Sequence, residues 1–300
     1  MSTLPVIAAV DGSDDGLRAL EWALHAARRR SAPLRVVHVR QYAPWAQPEA
    51  LAAAPADPGH DPVLDDVRGR LEGRADLPET EYTGLEGAPS AVLPELGATA
   101  QLLVLGSRGR GGFTGLLLGS NGMAAARDAD CPVVVVPRPG REVHGAAPAG
   151  PGPRVVAGLQ VDGPDESVLG FAFAEAARLG ARLQVVCAYP WPAQAWLVPG
   201  ELPPPAIDRD AVENDTRALA DGFLAPHRER HPDVRAETYV APGDAAGVLV
   251  AASRDADLVV VGRHRRRLLA PARMIGSVTH AVLLHAASPV AVVPPKPPED

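Results

Sequence analysis

The sequence predicts an α/β protein made of two tandem, doubly wound domains, each with a five-stranded parallel sheet. The chain has 300 residues, twice the roughly 150 that one domain commonly takes. One constant shift aligns Val6 with Val155 and Leu34 with Leu183, so the second half repeats the first. The β-branched runs lack period-two alternation, which is typical of strands covered by helices on both faces.

Each unit opens with a short apolar run of strand type, at residues 4–10 and again at residues 154–159. An amphipathic helix is predicted next, over residues 14–30 and 166–179, because apolar residues recur there on one helical face. A second strand follows each helix, at Leu34–Val39 and at Leu183–Ala188.

The end of each unit repeats as well. Ala100–Gly106 and Ala256–Gly262 predict a fourth strand, and Cys131–Pro137 and Ser288–Pro294 predict a fifth. Pro94 lies inside the helical pattern before the fourth strand, so we expect it to kink or shorten that helix.

The Gly/Pro/Ala tract between the repeats is typical of a flexible linker and sets the domain boundaries. We expect a first domain at residues 1–138, a linker at 139–153 and a second domain at 154–295. Two long Pro-rich stretches, 41–62 and 190–206, are not expected to be regular; they are either mobile lids or surface insertions.

The composition limits which binding partners the protein can have and indicates its cellular compartment. The net charge of −7 argues against a protein built to bind nucleic acid or an anionic membrane. The two cysteines exclude a disulfide framework and fit a reducing compartment. No apolar stretch approaches the roughly 20 residues of a membrane span, and no signal peptide follows Met1. We therefore expect a cytoplasmic protein.

The most informative segment runs from Gly106 to Ser120, and we call it the glycine loop. Its glycines allow a ligand to approach the backbone without a Cβ in the way. Ser120 stands where a helix N-cap is expected, and the free N–H groups that follow suit a phosphate. Arg108 and Arg110 would add positive charge there. The alternative is a glycine-rich surface turn without a ligand.

Asp11 follows the first strand, which in a doubly wound sheet lies beside the fourth strand, where ligands bind. Its carboxylate could accept hydrogen bonds from a nucleoside. It could equally serve the local turn or cap the next helix, as Ser13 could, and both interpretations stay open.

Several catalytic patterns are absent from the sequence. The only lysine is Lys296, so there is no P-loop lysine. No Cys/His metal spacing and no nucleophile with a positioned base is present. Any nucleotide hydrolysis is therefore expected to be slow.

At this point the chain resembles the universal stress protein family, as a tandem, two-domain member. The family's ATP signature, G-x2-G-x9-G-[ST], is matched by Gly106, Gly109, Gly119 and Ser120. The resemblance extends over nearly all of both halves and includes three further segments: residues 10–13, 38–39 and 131–137. It implies a Rossmann-like fold of the adenine nucleotide alpha-hydrolase type.

The resemblance also implies a ligand, ATP with Mg²⁺ as a possible companion, between the first and fourth strands. Asp11 and the backbone of Val39 would then contact adenine, Gly106 and Gly109 the ribose and phosphates, and Gly119 and Ser120 a phosphate. Asn121 and Gly122 stand where the family often has Val and Ser or Thr; this loses a hydroxyl, although Asn121 can still donate.

The second half departs from the signature. Gln160 takes the place of Asp11, Arg265 replaces the second glycine, and one residue is inserted before Gly276. We therefore predict that the second half binds ATP weakly or not at all. The basic runs Arg263–Arg267 and Arg28–Arg30 could serve another anion or nucleic acid, but we expect solvated loops and helix ends.

The resulting hypothesis is an adenine-nucleotide-binding, stress-response regulator without efficient chemistry of its own. One alternative is a ligand-free interaction scaffold, and a second is a slow nucleotide hydrolase. Val133–Val136 and Val290–Val293 are apolar edge strands, and the resemblance implies that such last strands mediate dimers. We expect them to pair as an intramolecular pseudo-dimer, and the sequence leaves open a homodimer of two chains.

Overall fold

The computed structural model describes residues 3–41, 60–110, 117–144, 150–189, 208–263 and 275–296. The two Pro-rich stretches and the middle of the linker lie largely outside these residues. The first half contains strands β1 (Val6–Ala9), β2 (Leu34–Arg40), β3 (Thr80–Glu86), β4 (Leu102–Gly106) and β5 (Val133–Val136). The second half contains β6 (Arg154–Gly158), β7 (Arg182–Tyr189), β8 (Ala236–Pro242), β9 (Leu258–Gly262) and β10 (Val290–Val293).

Helices alternate with these strands. The first half has α1 (Asp14–Arg29), α2 (Pro62–Leu71), α3 (Pro89–Glu95) and α4 (Ser120–Asp128). The second half has α5 (Glu166–Leu179), α6 (Arg209–Arg230), α7 (Ala245–Ala252) and α8 (Ser277–His285). The prediction for Pro94 is confirmed, because α3 is only 7 residues long and continues as a 3₁₀ turn.

The described strands form one ten-stranded sheet in the order β3-β2-β1-β4-β5-β10-β9-β6-β7-β8. All neighbours within a half are parallel, and β5 pairs antiparallel with β10, with Val135 opposite Val290. These are the two strands that the sequence analysis selects for pairing. The predicted α/β, doubly wound class is confirmed in both halves.

Both faces of the sheet are covered, as the missing alternation predicts. Val6 and Ala8 of β1 pack in one hydrophobic layer with α1, and Ile7 packs in the layer on the other face. Residues of both halves contribute to each layer. The core therefore runs through the whole sheet. Within the described residues, no helix combines the length and the apolar character that a membrane span requires.

Of the basic run at the end of α1, Arg28 is exposed as expected, but the side chain of Arg30 is buried, which corrects the sequence-based expectation for that residue. Arg30 donates from Nη2 to Glu175 Oε1 of α5 (2.6 Å), and the two side chains are only 3% and 1% exposed. Burial lowers the pKa of Arg30, and the negative charge of Glu175 opposes that shift. Arg28 instead pairs with Asp76. The run contributes a buried ion pair between the halves, because α1 ends against α5.

Candidate functional site

The carboxyl ends of β1 and β4 lie side by side. Val6 is paired with Leu102 and Ala8 with Val104, in parallel register. Asp11 follows β1, and the glycine loop leaves β4 at Gly106. Because β1 also pairs with β2 on its other side, this edge is the switch point predicted from the sequence.

Both oxygens of Asp11 accept hydrogen bonds from the protein itself. Oδ1 accepts from the amide (3.0 Å) and hydroxyl (2.6 Å) of Ser13, and Oδ2 accepts from the amide of Arg110 (2.8 Å). The Ser13 hydroxyl in turn accepts from the amide of Gly16 and caps α1 (3.1 Å). The local role that the sequence analysis allowed for Asp11 is thus present, and the nucleoside contact stays a prediction. Asp11 fastens the start of the glycine loop to the start of α1.

The glycines of the site make room for protein groups. A Cβ on Gly109 would lie 2.6 Å from Asp11 Oδ2, and one on Gly12 would collide with the guanidinium of Arg110. Gly12 also has a φ of +75°, which few other residues adopt. Arg110 therefore lies across the end of β1, in addition to bringing positive charge.

Gly106 is required by the packing of β4 against α1. A Cβ at this position would lie 2.6 Å from the carbonyl carbon and oxygen of Asp15, which are backbone atoms. From the sequence we expect a ligand to approach the backbone at this glycine. In the structure the backbone of α1 occupies that space.

The glycine loop is closed at its far end. The amide of Gly119 donates to the carbonyl of Ser107 (2.8 Å), so the exit of the loop lies against its entrance. Gly119, with extended φ and ψ, is the N-cap residue of α4, and Ser120 is its first helical residue. The expectation that Ser120 is the N-cap is therefore wrong by one position. Ser120 and Asn121 are exposed, and residues 111–116 lie outside the described part.

The remaining predicted residue, Val39, lies on β2. It is buried and stands opposite Leu85 of β3 in the parallel ladder. Since β2 and β4 flank β1, Val39 and the glycine loop are on opposite sides of the β1 end. The structure thus places Gly109 against Asp11 and Gly106 beside the first turn of α1. The hydrogen bond from Gly119 to Ser107 brings Gly119 and Ser120 to the same end of β4.

Two polar groups near the loop were not identified from the sequence. Asp15 is buried, and its carboxylate accepts from Arg138 Nε (3.1 Å) and pairs with Arg18. Arg141 donates from Nη2 to the carbonyl of Leu117, at the end of the glycine loop (2.6 Å). Burial, followed by the positive charge of Arg108, lowers the pKa of Arg141, and Asp15 opposes both. Arg138 and Arg141 lie 123 and 24 residues from these partners, so no local motif could have indicated their contacts.

The second half is built differently at the same edge. Gln160 is exposed, and α5 is capped by Asp165, whose Oδ1 accepts from the amide of Ser167 (2.9 Å). Arg263, directly after Gly262, is buried and donates from Nη1 to the carbonyls of Arg127 (2.6 Å) and Ala129 (2.8 Å) at the end of α4. The expectation of a solvated basic loop is therefore wrong for Arg263, because a neighbouring helix end binds it. Residues 264–274 lie outside the described part.

Among the residues that the structure describes, no group of three or more His, Cys, Asp or Glu side chains could hold a metal ion.

These features define a class: doubly wound α/β proteins with a glycine-rich loop at the switch point of the sheet. The universal stress protein family model matches residues 4–137 and 154–294. The chain belongs to the universal stress protein family and carries two tandem copies of its domain.

Relatives match the chain over nearly their whole length. The chain is 33% identical over 297 residues to a universal stress protein of Mycobacterium tuberculosis, covering 96% of each chain. It is 31% identical to one of Mycolicibacterium smegmatis, covering 97% of each. A crystal structure of a putative universal stress protein from Pseudomonas aeruginosa matches with a TM-score of 0.63 at 18% identity, over 97% of this chain and 93% of that one. The last match concerns the fold alone.

Proposed function

We propose that the first half binds ATP at the carboxyl ends of β1 and β4 and that the chain acts as a nucleotide-responsive regulator in the stress response. The observation that carries this is the closed glycine loop, whose Gly119–Ser107 hydrogen bond places the exposed start of α4 beside the end of β4. A helix start with unpaired amides and a free hydroxyl suits a phosphate. Membership of the family supports the same ligand class.

The residues present fit such a ligand in part. Ser120 and Asn121 are exposed on the first turn of α4 and can donate to phosphate oxygens. Asp11 and Val39 would contact the base, and Gly106 and Gly109 would line the ribose and phosphates. Arg110 lies over Gly12, so its side chain must leave this position when the nucleotide enters. Mg²⁺, when bound, would neutralise phosphate charge, and its ligands would come from the nucleotide and water.

The Arg110 contact gives the proposed response a physical basis. In the structure, the start of the glycine loop is held on β1 by the hydrogen bond from the Arg110 amide to Asp11. A nucleotide at the end of β1 would displace the Arg110 guanidinium from Gly12 and offer it phosphate oxygens instead, while the amide bond to Asp11 can stay in place. A segment that changes partners in this way can report nucleotide binding.

Calorimetric titration of the full chain with ATP tests the proposal. We expect one ATP per chain, because the second half lacks an aspartate at position 160 and places Arg263 outside the site. Ser120→Ala removes a hydrogen bond to a charged group, so we expect an affinity about tenfold lower.

Ser277→Ala is the matched control, because Ser277 is likewise the first residue of a helix whose N-cap is a glycine, Gly276. It should leave the affinity unchanged. Two equivalent ATP molecules per chain, or equal effects of the two substitutions, would contradict the proposed asymmetry. The absence of any binding heat and of any competition with a fluorescent ATP analogue would contradict the proposal itself.

The scaffold is the second candidate, and the antiparallel pairing of β5 with β10 favours it. We propose that this pairing makes the chain an intramolecular pseudo-dimer in which each last strand protects the edge of the other. Both functions can coexist, because the pairing lies in the middle of the sheet and the glycine loop at its carboxyl edge. Light scattering tests the pseudo-dimer: a concentration-independent monomer supports it, and a two-chain dimer that a charged substitution at Val134 of β5 dissociates into monomers would contradict it.

A further inference from the structure

We propose that Arg141 is a positioning residue that couples the glycine loop of the first half to helix α8 of the second, so that nucleotide binding in one half alters the other. The proposal deepens the proposed function and depends on it for the identity of the ligand. It is carried by three hydrogen bonds of one side chain, which we call the Arg141 bridge.

The Arg141 bridge has one arm on each half. Nη2 donates to the carbonyl of Leu117, two residues before the N-cap of α4 (2.6 Å). Nη1 donates to the carbonyls of Leu283 (3.3 Å) and Ala286 (3.1 Å) at the end of α8. A single planar guanidinium therefore spans the exit of the glycine loop and the last turn of a helix in the other half.

The far arm of the bridge is favourable for a general reason. The last carbonyls of a helix have no partner within the helix and carry partial negative charge, so a guanidinium there gains both hydrogen bonds and dipole energy. The other arm, the hydrogen bond from Arg141 to the Leu117 carbonyl, would respond to a ligand at the loop. Leu117 is two residues from Gly119, whose amide closes the loop on Ser107. A shift of the loop exit would move one acceptor of the bridge and not the other two.

A second arginine connects the halves in the opposite direction. Arg263 of the second half donates to the carbonyls of Arg127 and Ala129 at the end of α4. Helix α4 thus offers its first turn to the proposed phosphate and has its last turn bound by the other half. Both helices that follow the fourth strands, α4 and α8, end on an arginine from outside their own domain, so contacts that could transmit a shift cross between the halves at both helix ends.

Hydrogen exchange on the full chain without nucleotide tests the link by itself. Two amides report on the arms: Gly119, bonded to Ser107, and Ala286, bonded to Val282. We expect Arg141→Ala to speed exchange at both. Arg141→Lys keeps the charge but not the planar fork, so it should give the same result. Arg182→Ala is the control, because Arg182 also bonds the linker segment, donating to the carbonyl of Gly150 (2.8 Å), but stands at the first residue of β7 and not at the glycine loop.

A second hydrogen-exchange experiment is done with ATP present. In the wild-type chain we expect ATP to slow exchange at Gly119 and also at Ala286. In Arg141→Ala we expect the remote effect at Ala286 to disappear and the affinity for ATP to fall about tenfold, within the usual range of coupling between sites. Arg182→Ala should keep both effects. A purely structural role would lower the melting temperature without separating the local from the remote response.

The outcomes separate the two proposals. If the wild-type chain binds no ATP, the proposed function fails, but the experiment without nucleotide still tests the link through Arg141. Faster exchange at both amides in Arg141→Ala supports that link. Faster exchange at one amide or at neither overturns it. If ATP binds and Ala286 responds equally in wild type and in Arg141→Ala, the coupling through Arg141 is overturned while the proposed function stands.

Discussion

Ser107 and Arg263 occupy the same backbone position in the two halves and have different roles. The amide of each donates to the end of the last strand of its own half, Ser107 to Val136 (2.9 Å) and Arg263 to Val293 (3.0 Å). The carbonyl of Ser107 then closes the glycine loop of the first half. The side chain of Arg263 instead leaves its own half and binds the end of α4.

This difference shows how a duplicated domain can divide its tasks. The first half keeps a closed loop beside the end of β1, with Asp11 as its fastening. The second half has no aspartate there, and its first residue after β9 contributes to the contact between the halves. The two copies therefore share the fold, which depends on their apolar strands. They differ in the polar residues that directly follow the strand ends.

The largest effect is expected where each half supplies one partner of a buried pair. Ala26 of the first half corresponds to Glu175 of the second, and of these two residues only Glu175 offers Arg30 a carboxylate; Ala26 accepts from Arg30 through its backbone carbonyl. Glu175→Gln keeps the volume but leaves the Arg30 guanidinium buried without a counter-charge, so we expect a loss of about 4 kcal/mol in the free energy of unfolding. Urea denaturation of the full chain measures it.

The exposed pair Arg70–Asp66 provides the control, and Asp66→Asn should cost less than about 1 kcal/mol. The double variant Arg30→Met/Glu175→Leu should recover most of the loss, because it removes both charges. A Glu175→Gln variant as stable as the wild type would mean that the halves do not depend on this pair.

The next largest effect is expected from substituting the equivalent glycines at the ends of β4 and β9, which should lower the free energy of unfolding by different amounts. A Cβ on Gly106 would meet backbone atoms of Asp15 at 2.6 Å, whereas one on Gly262 would meet side-chain atoms of Val168 (3.0 Å) and Asp165 (3.2 Å). Side chains can move aside more easily than a helix backbone. We expect Gly106→Ala to cost about 3 kcal/mol and Gly262→Ala about 1 kcal/mol, measured by the same denaturation. Equal costs would show that α1 can shift as easily as two side chains.

The sequence was sufficient for the fold and for the position of the loop because both depend on local patterns. Apolar runs without alternation predict buried parallel strands, and the glycine spacing predicts a loop between β4 and α4. Ser120 was misplaced by one residue because the N-cap is decided by the extended conformation of Gly119, which the sequence does not specify. Arg30 and Arg263 were misjudged because their partners are 145 and 134 or more residues away.

The smallest effect concerns the two helices that follow the Pro-rich stretches. Asp61 caps α2 and Asp208 caps α6, each accepting two backbone amides, but only Asp61 also contacts a histidine: His38 Nδ1 lies 2.8 Å from its Oδ2. The constant shift places Cys187 where the first half has His38. Burial acts to raise the pKa of Asp61, but hydrogen bonds from His38 and from the Leu64 and Val63 amides outweigh it and lower the pKa below its ordinary value of 3.8.

The sign of the pH dependence follows from this lowered pKa. The folded state binds fewer protons than the unfolded state between the two pKa values, so the stabilisation is complete above about pH 4 and is lost as the pH falls through the folded value. Asp61→Asn should therefore cost about 1 kcal/mol at pH 6 and flatten the decline in stability below pH 4, as measured by urea midpoints at pH 6, 5, 4 and 3. Asp208→Asn is the matched control over the same pH series, because Asp208 is exposed and caps its helix without a histidine; it should cost no more at pH 6. Parallel curves for the two variants would show that the histidine contact adds nothing to an ordinary helix cap and that the halves do not differ at this position.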